Sequence, residues 1–316
     1  MQLTLTKIRK TFGAVEVLRG INLMAETGSA FGLLGRNGAG KTTVIRIIMR
    51  VFPPDSGELR IDGQRIAGSA RTLGYLPEER GLYPKKKIGD QLAYIGMLRG
   101  MNKTDAYNAA RRWLKRLHMA AYENAVLATL SKGNQQKIQL CAALINDPDI
   151  VILDELFSGL DPVNAGLLKE VLAEQIDSGR IVLFSSHEMN YVEEFCDNIA
   201  IMNQGKIVLS GNLRQIKRGY DRTKLFLAVD EALGSSADVL ARFLPTDVFS
   251  AVEAVTNGAL VQLRAPDDKN RLLSMLCQAG IGVERFEVLE PALEEIFIEK
   301  TRDIPHNEQE SEVSAP

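Results

Sequence analysis

The chain has little of what would mark it as disulfide-bonded, metal-caged or membrane-spanning. Three cysteines in 316 residues, Cys141, Cys196 and Cys277, lie far apart with no C-x-x-C pair. They read as reduced, mostly buried thiols, which excludes a disulfide frame and a thiolate metal site. No segment approaches 18 uninterrupted apolar residues, so no span across a bilayer is expected. Met1-Gln2-Leu3-Thr4-Leu5 opens directly in an alternating strand pattern, and no signal peptide is expected before it. A net charge of -2 offers no basic surface for nucleic acid. Internal repeats are absent as well.

What is present is a hydrophobic content of 45%, ample for a packed core, in a length that holds one large domain or two ordinary ones. One stretch organises the rest. Gly35-Arg36-Asn37-Gly38-Ala39-Gly40-Lys41-Thr42 fits G-x-x-x-x-G-K-[ST], a phosphate-binding loop. The apolar run Ala30 to Leu34 reads as a buried strand feeding it, and Thr42 to Met49 as the helix leaving it. Its three glycines let backbone N–H groups curl around phosphate oxygens, and the helix N-terminus adds partial positive charge. Lys41 is placed for the β- and γ-phosphates, and the Thr42 hydroxyl for Mg²⁺.

Along the chain, Leu3 to Arg9 and Val17 to Met24 read as strands, with Phe12 in the loop between them. Gly57 to Gly63 alternates and ends in Asp-Gly, a hairpin signal. Arg71 to Leu76 is a short strand running into Pro77-Glu78-Glu79-Arg80-Gly81. Helices are expected near Ile88 to Leu98 and Lys103 to Leu117, the second with Trp113, Leu114 and Leu117 on one face. The run Lys85-Lys86-Lys87 before them is a solvated surface or a contact for a partner or lipid headgroups. Ser131 caps a helix reaching about Ile145, where Pro148 stops it. Ile150 to Leu153 is a fully apolar, β-branched run, hence a central parallel strand. It ends in Asp154-Glu155, where open α/β sheets bind ligands. Val163 to Ser178 is a helix, Ile181 to Phe184 a buried strand ending at Ser185-Ser186-His187, and Ile199 to Leu209 a hairpin. After Tyr220 the composition changes. Strands at Lys224 to Val229, Leu260 to Leu263 and Val283 to Val288 alternate with helices at Ser236 to Phe243, Asn270 to Ala279 and Ala292 to Lys300. This pattern describes a small α+β domain of ferredoxin-like order. From residue 302 on the composition is that of a disordered tail.

Five separated segments together resemble the ATPase subunit of ATP-binding cassette (ABC) transporters. They are the phosphate loop, Leu130-Ser131-Lys132-Gly133-Asn134-Gln135, the acid pair after Ile150 to Leu153, Ser158-Gly159-Leu160-Asp161, and His187. The likeness covers roughly residues 1 to 215, and Leu293-Glu294-Glu295-Ile296-Phe297 is similar to the C-terminal extension of bacterial ABC-2 type exporter ATPases. The resemblance implies an α/β fold: a P-loop NTPase cassette with a mixed sheet, an antiparallel β subdomain and a helical subdomain. Residues 1–219 would form the cassette, with the helical part at about 85–135. A small α+β domain would follow at 220–301, and the tail at 302–316.

It also implies an ATPase using ATP and Mg²⁺. Residues Gly35, Arg36, Asn37, Gly38, Ala39, Gly40, Lys41, Thr42 and Thr43 would hold the nucleotide, with Phe12 stacking on adenine. Asp154 would hold Mg²⁺ through water, Glu155 would orient the attacking water, and His187 would contact the γ-phosphate. Ser131, Gly133, Gln135 and Asp161 would complete the site, Ser131 and Gly133 reaching the nucleotide of a second cassette. The implied partners are a second copy or a homologous cassette and a permease on a separate chain, met through the segment from Ile88 to Leu117 and the loop from Pro77 to Gly81. The implied location is the cytoplasmic face of the membrane. Two positions depart from the family pattern. Glu78 stands where glutamine is usual beside Mg²⁺ and water, and Leu156 where proline follows the acid pair. Two other classes compete: a soluble ABC ATPase acting on ribosomes or nucleic acid, and a non-hydrolysing regulator. The single cassette and the charge balance disfavour the first, and Glu155 the second.

Overall fold

The computed structural model describes residues 1–65, 72–78, 81–157, 160–220, 222–230, 234–243 and 247–302. Arg71, Glu79, Arg80, Ser158, Gly159 and residues 303–316 of the tail expected from 302 on lie outside the described residues, and Arg302 itself ends a helix. Two compact units are present among the described residues, Met1–Leu213 with Phe297–Arg302, and Arg214–Ile296. The composition change placed that join at 219/220.

In the first unit, β1 (Gln2–Phe12), β2 (Val15–Glu26), β4 (Ser56–Ile61) and β5 (Gln64–Arg65) form an antiparallel sheet in the order β2-β1-β4-β5. Leu3 and Leu5 pair with Ala25 and Leu23, so alternate side chains point to one face. The Asp-Gly signal is a two-residue turn, with φ of 48° at Asp62 and 76° at Gly63. Phe12 is the last residue of β1 and not a loop residue, because the ladder continues to the pair Phe12–Val15.

The second sheet runs β10-β9-β3-β8-β7-β6. Its strands are β3 (Ala30–Gly35), β6 (Leu73–Leu76), β7 (Ile150–Asp154), β8 (Ile181–Ser185), β9 (Cys196–Asn203) and β10 (Lys206–Asn212). All neighbours are parallel except β9 and β10. Every residue of β7 and β8 is buried, the expected state of a parallel strand covered on both faces. Ile150, Ile152, Ile181 and Leu183 join a core shared with Leu3, Leu5 and Ile8 of the antiparallel sheet and with Val44, Ile45 and Ile48 of α1 (Lys41–Ile48).

The helical part contains α2 (Ile88–Leu98), α3 (Lys103–Arg116) and α4 (Lys132–Leu144). Trp113, Leu114 and Leu117 are buried together, as their spacing predicts. Helix α5 (Pro162–Asp177) joins β7 to β8. Helix α6 (Met189–Phe195), between β8 and β9, has no counterpart among the elements expected from sequence, since Val192 is its one buried residue.

The second unit carries β11 (Lys224–Val229), α8 (Ser236–Phe243), β12 (Phe249–Val255), β13 (Gly258–Leu263), α9 (Asp268–Gln278) and β14 (Val283–Leu289). Before and after them lie α7 (Leu213–Arg218) and α10 (Leu293–Arg302). Its antiparallel order β12-β13-β11-β14 is the split βαβ arrangement of a ferredoxin-like domain. Leu225, Leu227, Val261 and Leu263 form its core with Leu240, Leu272 and Leu276.

Candidate functional site

Parallel strands bring their carboxyl ends to one edge of the sheet. There β3 releases the glycine loop, β6 leads to Glu78, and β7 ends at Asp154 and Glu155. A cavity of about 470 Å³ opens between them, lined by residues 36–43, Val17, Glu78, Asp154 and Glu155. The loop's shape depends on its glycines. Gly40 has a φ of 103°, and a Cβ there would come 2.8 Å from Leu18 Cδ2. At Gly35 a Cβ would meet the Met202 carbonyl at 2.7 Å. No side chain caps α1, so its first N–H groups face the loop.

Lys41 Nζ donates to the carbonyls of Gly35 at 2.6 Å and Arg36 at 3.3 Å. Burial pulls its pKa down, opposed by the charges of Asp154, Glu155 and Glu78. Asp154 is 5% exposed. Burial raises its pKa, Glu155 and Glu78 push in the same direction, and Lys41 pulls against them. Three carboxylates thus surround one ammonium. Among the described residues no group of three or more His, Cys, Asp or Glu forms a metal cage. A buried carboxylate beside a threonine hydroxyl does fit a hard cation that keeps most of its water and takes few protein ligands.

Glu155 is buried. Its φ is 55°, a left-handed backbone rare for a side chain of this kind. Its N–H donates to the Ser185 carbonyl at 2.9 Å. One carboxylate oxygen accepts from the His187 N–H at 3.0 Å. The other lies 2.8 Å from His187 Nδ1 and accepts from Ser186 Oγ at 3.4 Å. The hydrogen bond between the His187 ring and Glu155 raises the His187 pKa, partly offset by burial.

The remaining candidates lie outside the cavity lining. Ser131 caps α4, its Oγ accepting from the Asn134 N–H at 3.4 Å. Gly133 lies against α5, where a Cβ would come 3.0 Å from Asn164 Nδ2. The polar atoms of Gln135 and Asp161 have protein partners. Gln135 is buried and donates to the Leu127 and Leu130 carbonyls at 3.3 and 2.9 Å. Asp161 caps α5, accepting from the N–H groups of Val163 at 3.1 Å and Asn164 at 3.0 Å and from the Asn164 amide. Those bonds, led by the one from the Asn164 N–H, lower its pKa. Phe12 is 47% exposed and packs edge-on against Phe52, centroids 5.3 Å apart. Sequence reasoning missed Val17, on the strand facing the loop, and Ser186, whose only signal was its place between Ser185 and His187.

Comparison with known proteins agrees with this geometry. Residues 18–158 match the family model described as ABC transporter, and residues 211–301 the model for the C-terminal domain of DrrA1-3-like ATP-binding proteins. The uncharacterized ABC transporter ATP-binding protein YhaQ of Bacillus subtilis is 41% identical, over 94% of this chain and 98% of its own length. The linearmycin resistance ATP-binding protein LnrL of the same organism is 28% identical, over 93% of this chain and 96% of its own. A solved ATP-binding subunit of an ABC transporter superposes with a TM-score of 0.63 at 29% identity, covering 69% of this chain and 93% of that one. A glycine loop at the end of β3, acids at the end of β7 and relatives that match end to end lead to one conclusion: the chain belongs to the ABC transporter ATP-binding proteins and is an ATPase of that family.

Proposed function

We propose that this chain hydrolyses ATP in a dimer whose two nucleotides are sandwiched between subunits, and that the dimer drives a separate membrane permease, in the direction of export. The observation that carries the reading is the ring of Lys41, Glu78, Asp154 and Glu155 around the glycine-loop cavity. Loop amides and Lys41 bind the triphosphate and stabilise charge on the transferred phosphoryl group. The Thr42 hydroxyl and Asp154, with Glu78 beside them, are the groups that would hold Mg²⁺, which when bound neutralises phosphate charge. Glu155 orients and polarises the attacking water, and His187, which holds Glu155, contacts the γ-phosphate. Phe12 stacks on adenine. Ser131 and Gly133, remote from their own loop, contact the nucleotide of the other subunit.

No helix among the described residues is long and apolar enough to cross a membrane. Transport therefore calls for a permease partner, with this chain peripheral on the cytoplasmic face. Export is supported by the match of the C-terminal unit to DrrA-like proteins and by the resistance relative. The test is turnover by Glu155→Gln. A loss of roughly 100- to 10,000-fold with ATP still bound is expected for removal of a general base. Parental turnover would remove Glu155 from the reaction.

A further inference from the structure

Glu155 is held by groups at the end of β8, the Ser185 carbonyl, Ser186 Oγ and His187, while the chain just beyond it is held from α4. Gln136, one turn into that helix, donates its Nε2–H to the carbonyl of Leu156 at 3.2 Å. Leu156 follows Glu155 directly, and its side chain is fully buried. The peptide between Leu156 and Phe157, one unit beyond the acid, is thus held by Gln136, and the Leu156 side chain beside it is packed in the core.

That bond has a conformation to hold in place. A left-handed φ of 55° at Glu155 is strained for a non-glycine residue, so it persists only where its surroundings impose it. Proline at 156 would push the preceding residue toward extended backbone. Leucine leaves the left-handed state open, and the chain must then secure it by other means. The Glu155 N–H on the Ser185 carbonyl secures the near side, and Gln136 secures the far side.

We infer that Gln136 is a positioning residue for hydrolysis: its bond to the Leu156 carbonyl keeps Glu155 in the backbone conformation from which its carboxylate serves the attacking water. The inference rests on the role of Glu155 proposed above. Gln136 acts through Leu156, whose carbonyl it holds one peptide beyond the acid.

The test is steady-state ATP hydrolysis by the full chain carrying Gln136→Leu, which removes the donor, or Gln136→Glu, which keeps the shape and replaces the donor with an acceptor. Both should lower kcat by roughly 10- to 100-fold, the scale of an ångström-sized misplacement of a reacting group. KM for ATP, ATP-driven dimerisation and the melting temperature should stay at parental values. Leu156→Pro, which biases Glu155 toward extended backbone, should itself lower kcat, and adding Gln136→Leu to it should cost less than about threefold more, a non-additivity expected of coupled residues. Parental kcat in both variants, beside a Glu155→Gln variant that has lost turnover, overturns the inference. So do additive losses in the double variant, or a fall in kcat accompanied by loss of ATP binding and melting temperature. If Glu155→Gln itself turns over normally, the role of Glu155 fails, and the inference fails with it.

Discussion

His187 Nδ1 sits 2.8 Å from a carboxylate oxygen of Glu155, and the backbone N–H of the same histidine donates to the other oxygen at 3.0 Å. Two adjacent strand ends, β7 and β8, therefore share one carboxylate. The histidine clamps the acid with its main chain and its ring together, and its exposed edge remains available to a ligand.

This pairing has a pH signature. The hydrogen bond to Glu155 raises the His187 pKa in the folded chain. A raised folded value means that the pairing contributes fully below the unfolded histidine pKa, about 6.5, and is lost as pH rises through the folded value. The His187 side chain is 69% exposed, so solvent screening limits the contribution to at most about 1 kcal/mol. Chemical unfolding of the parent and of His187→Ala, without nucleotide, should show the parent more stable near pH 6 and the difference shrinking on the alkaline side. A difference that grows with pH would contradict the pairing.

Two glycines of the loop should respond differently to the same substitution. Gly38 has a φ of 78° with open space where a methyl group would point, whereas Gly40 combines a φ of 103° with a Cβ position 2.8 Å from Leu18 Cδ2. Gly38→Ala incurs backbone strain alone, about 1–2 kcal/mol. Gly40→Ala adds overlap with a buried leucine, about 1–3 kcal/mol more. Thermal melts and ATP titrations of the two variants should rank Gly40→Ala as the more damaging on both counts; equal effects would argue against this loop geometry.

Glu78 adds a third carboxylate to the ring around Lys41. Like charges at one site disfavour one another, so a divalent cation gains from its presence. Glu78→Gln should raise the Mg²⁺ concentration needed for half-maximal ATPase activity and change the maximal rate. An unchanged rate at every Mg²⁺ concentration would leave Glu78 without a part in the site.

Much of this architecture is legible in the amino-acid order alone. The apolar runs Ile150 to Leu153 and Ile181 to Phe184 are the buried parallel strands β7 and β8, and the span expected for α2, Ile88–Leu98, is the one it occupies. Legibility fails where little surface is buried. Helix α6 buries Val192 alone, and β12 is an edge strand with one buried residue, Phe249, so neither carries a clear period. The motif residues are recognisable, but a motif does not say where side-chain atoms go. Gln135 and Asp161 belong to identifiable segments, yet their polar groups serve a neighbouring loop and a helix cap. The contact between Glu155 and His187 joins residues 32 positions apart and exists only because β7 and β8 are neighbours.

In the proposed dimer a nucleotide is held by the loop of one subunit and covered by Ser131 and Gly133 of another. Light scattering on the Glu155→Gln chain, with and without ATP and Mg²⁺, tests this most directly. Dimers that form only with nucleotide, and that Ser131→Arg abolishes while ATP binding persists, are the predicted result. A chain that binds ATP yet stays monomeric at every concentration, alone and beside its permease, would contradict it.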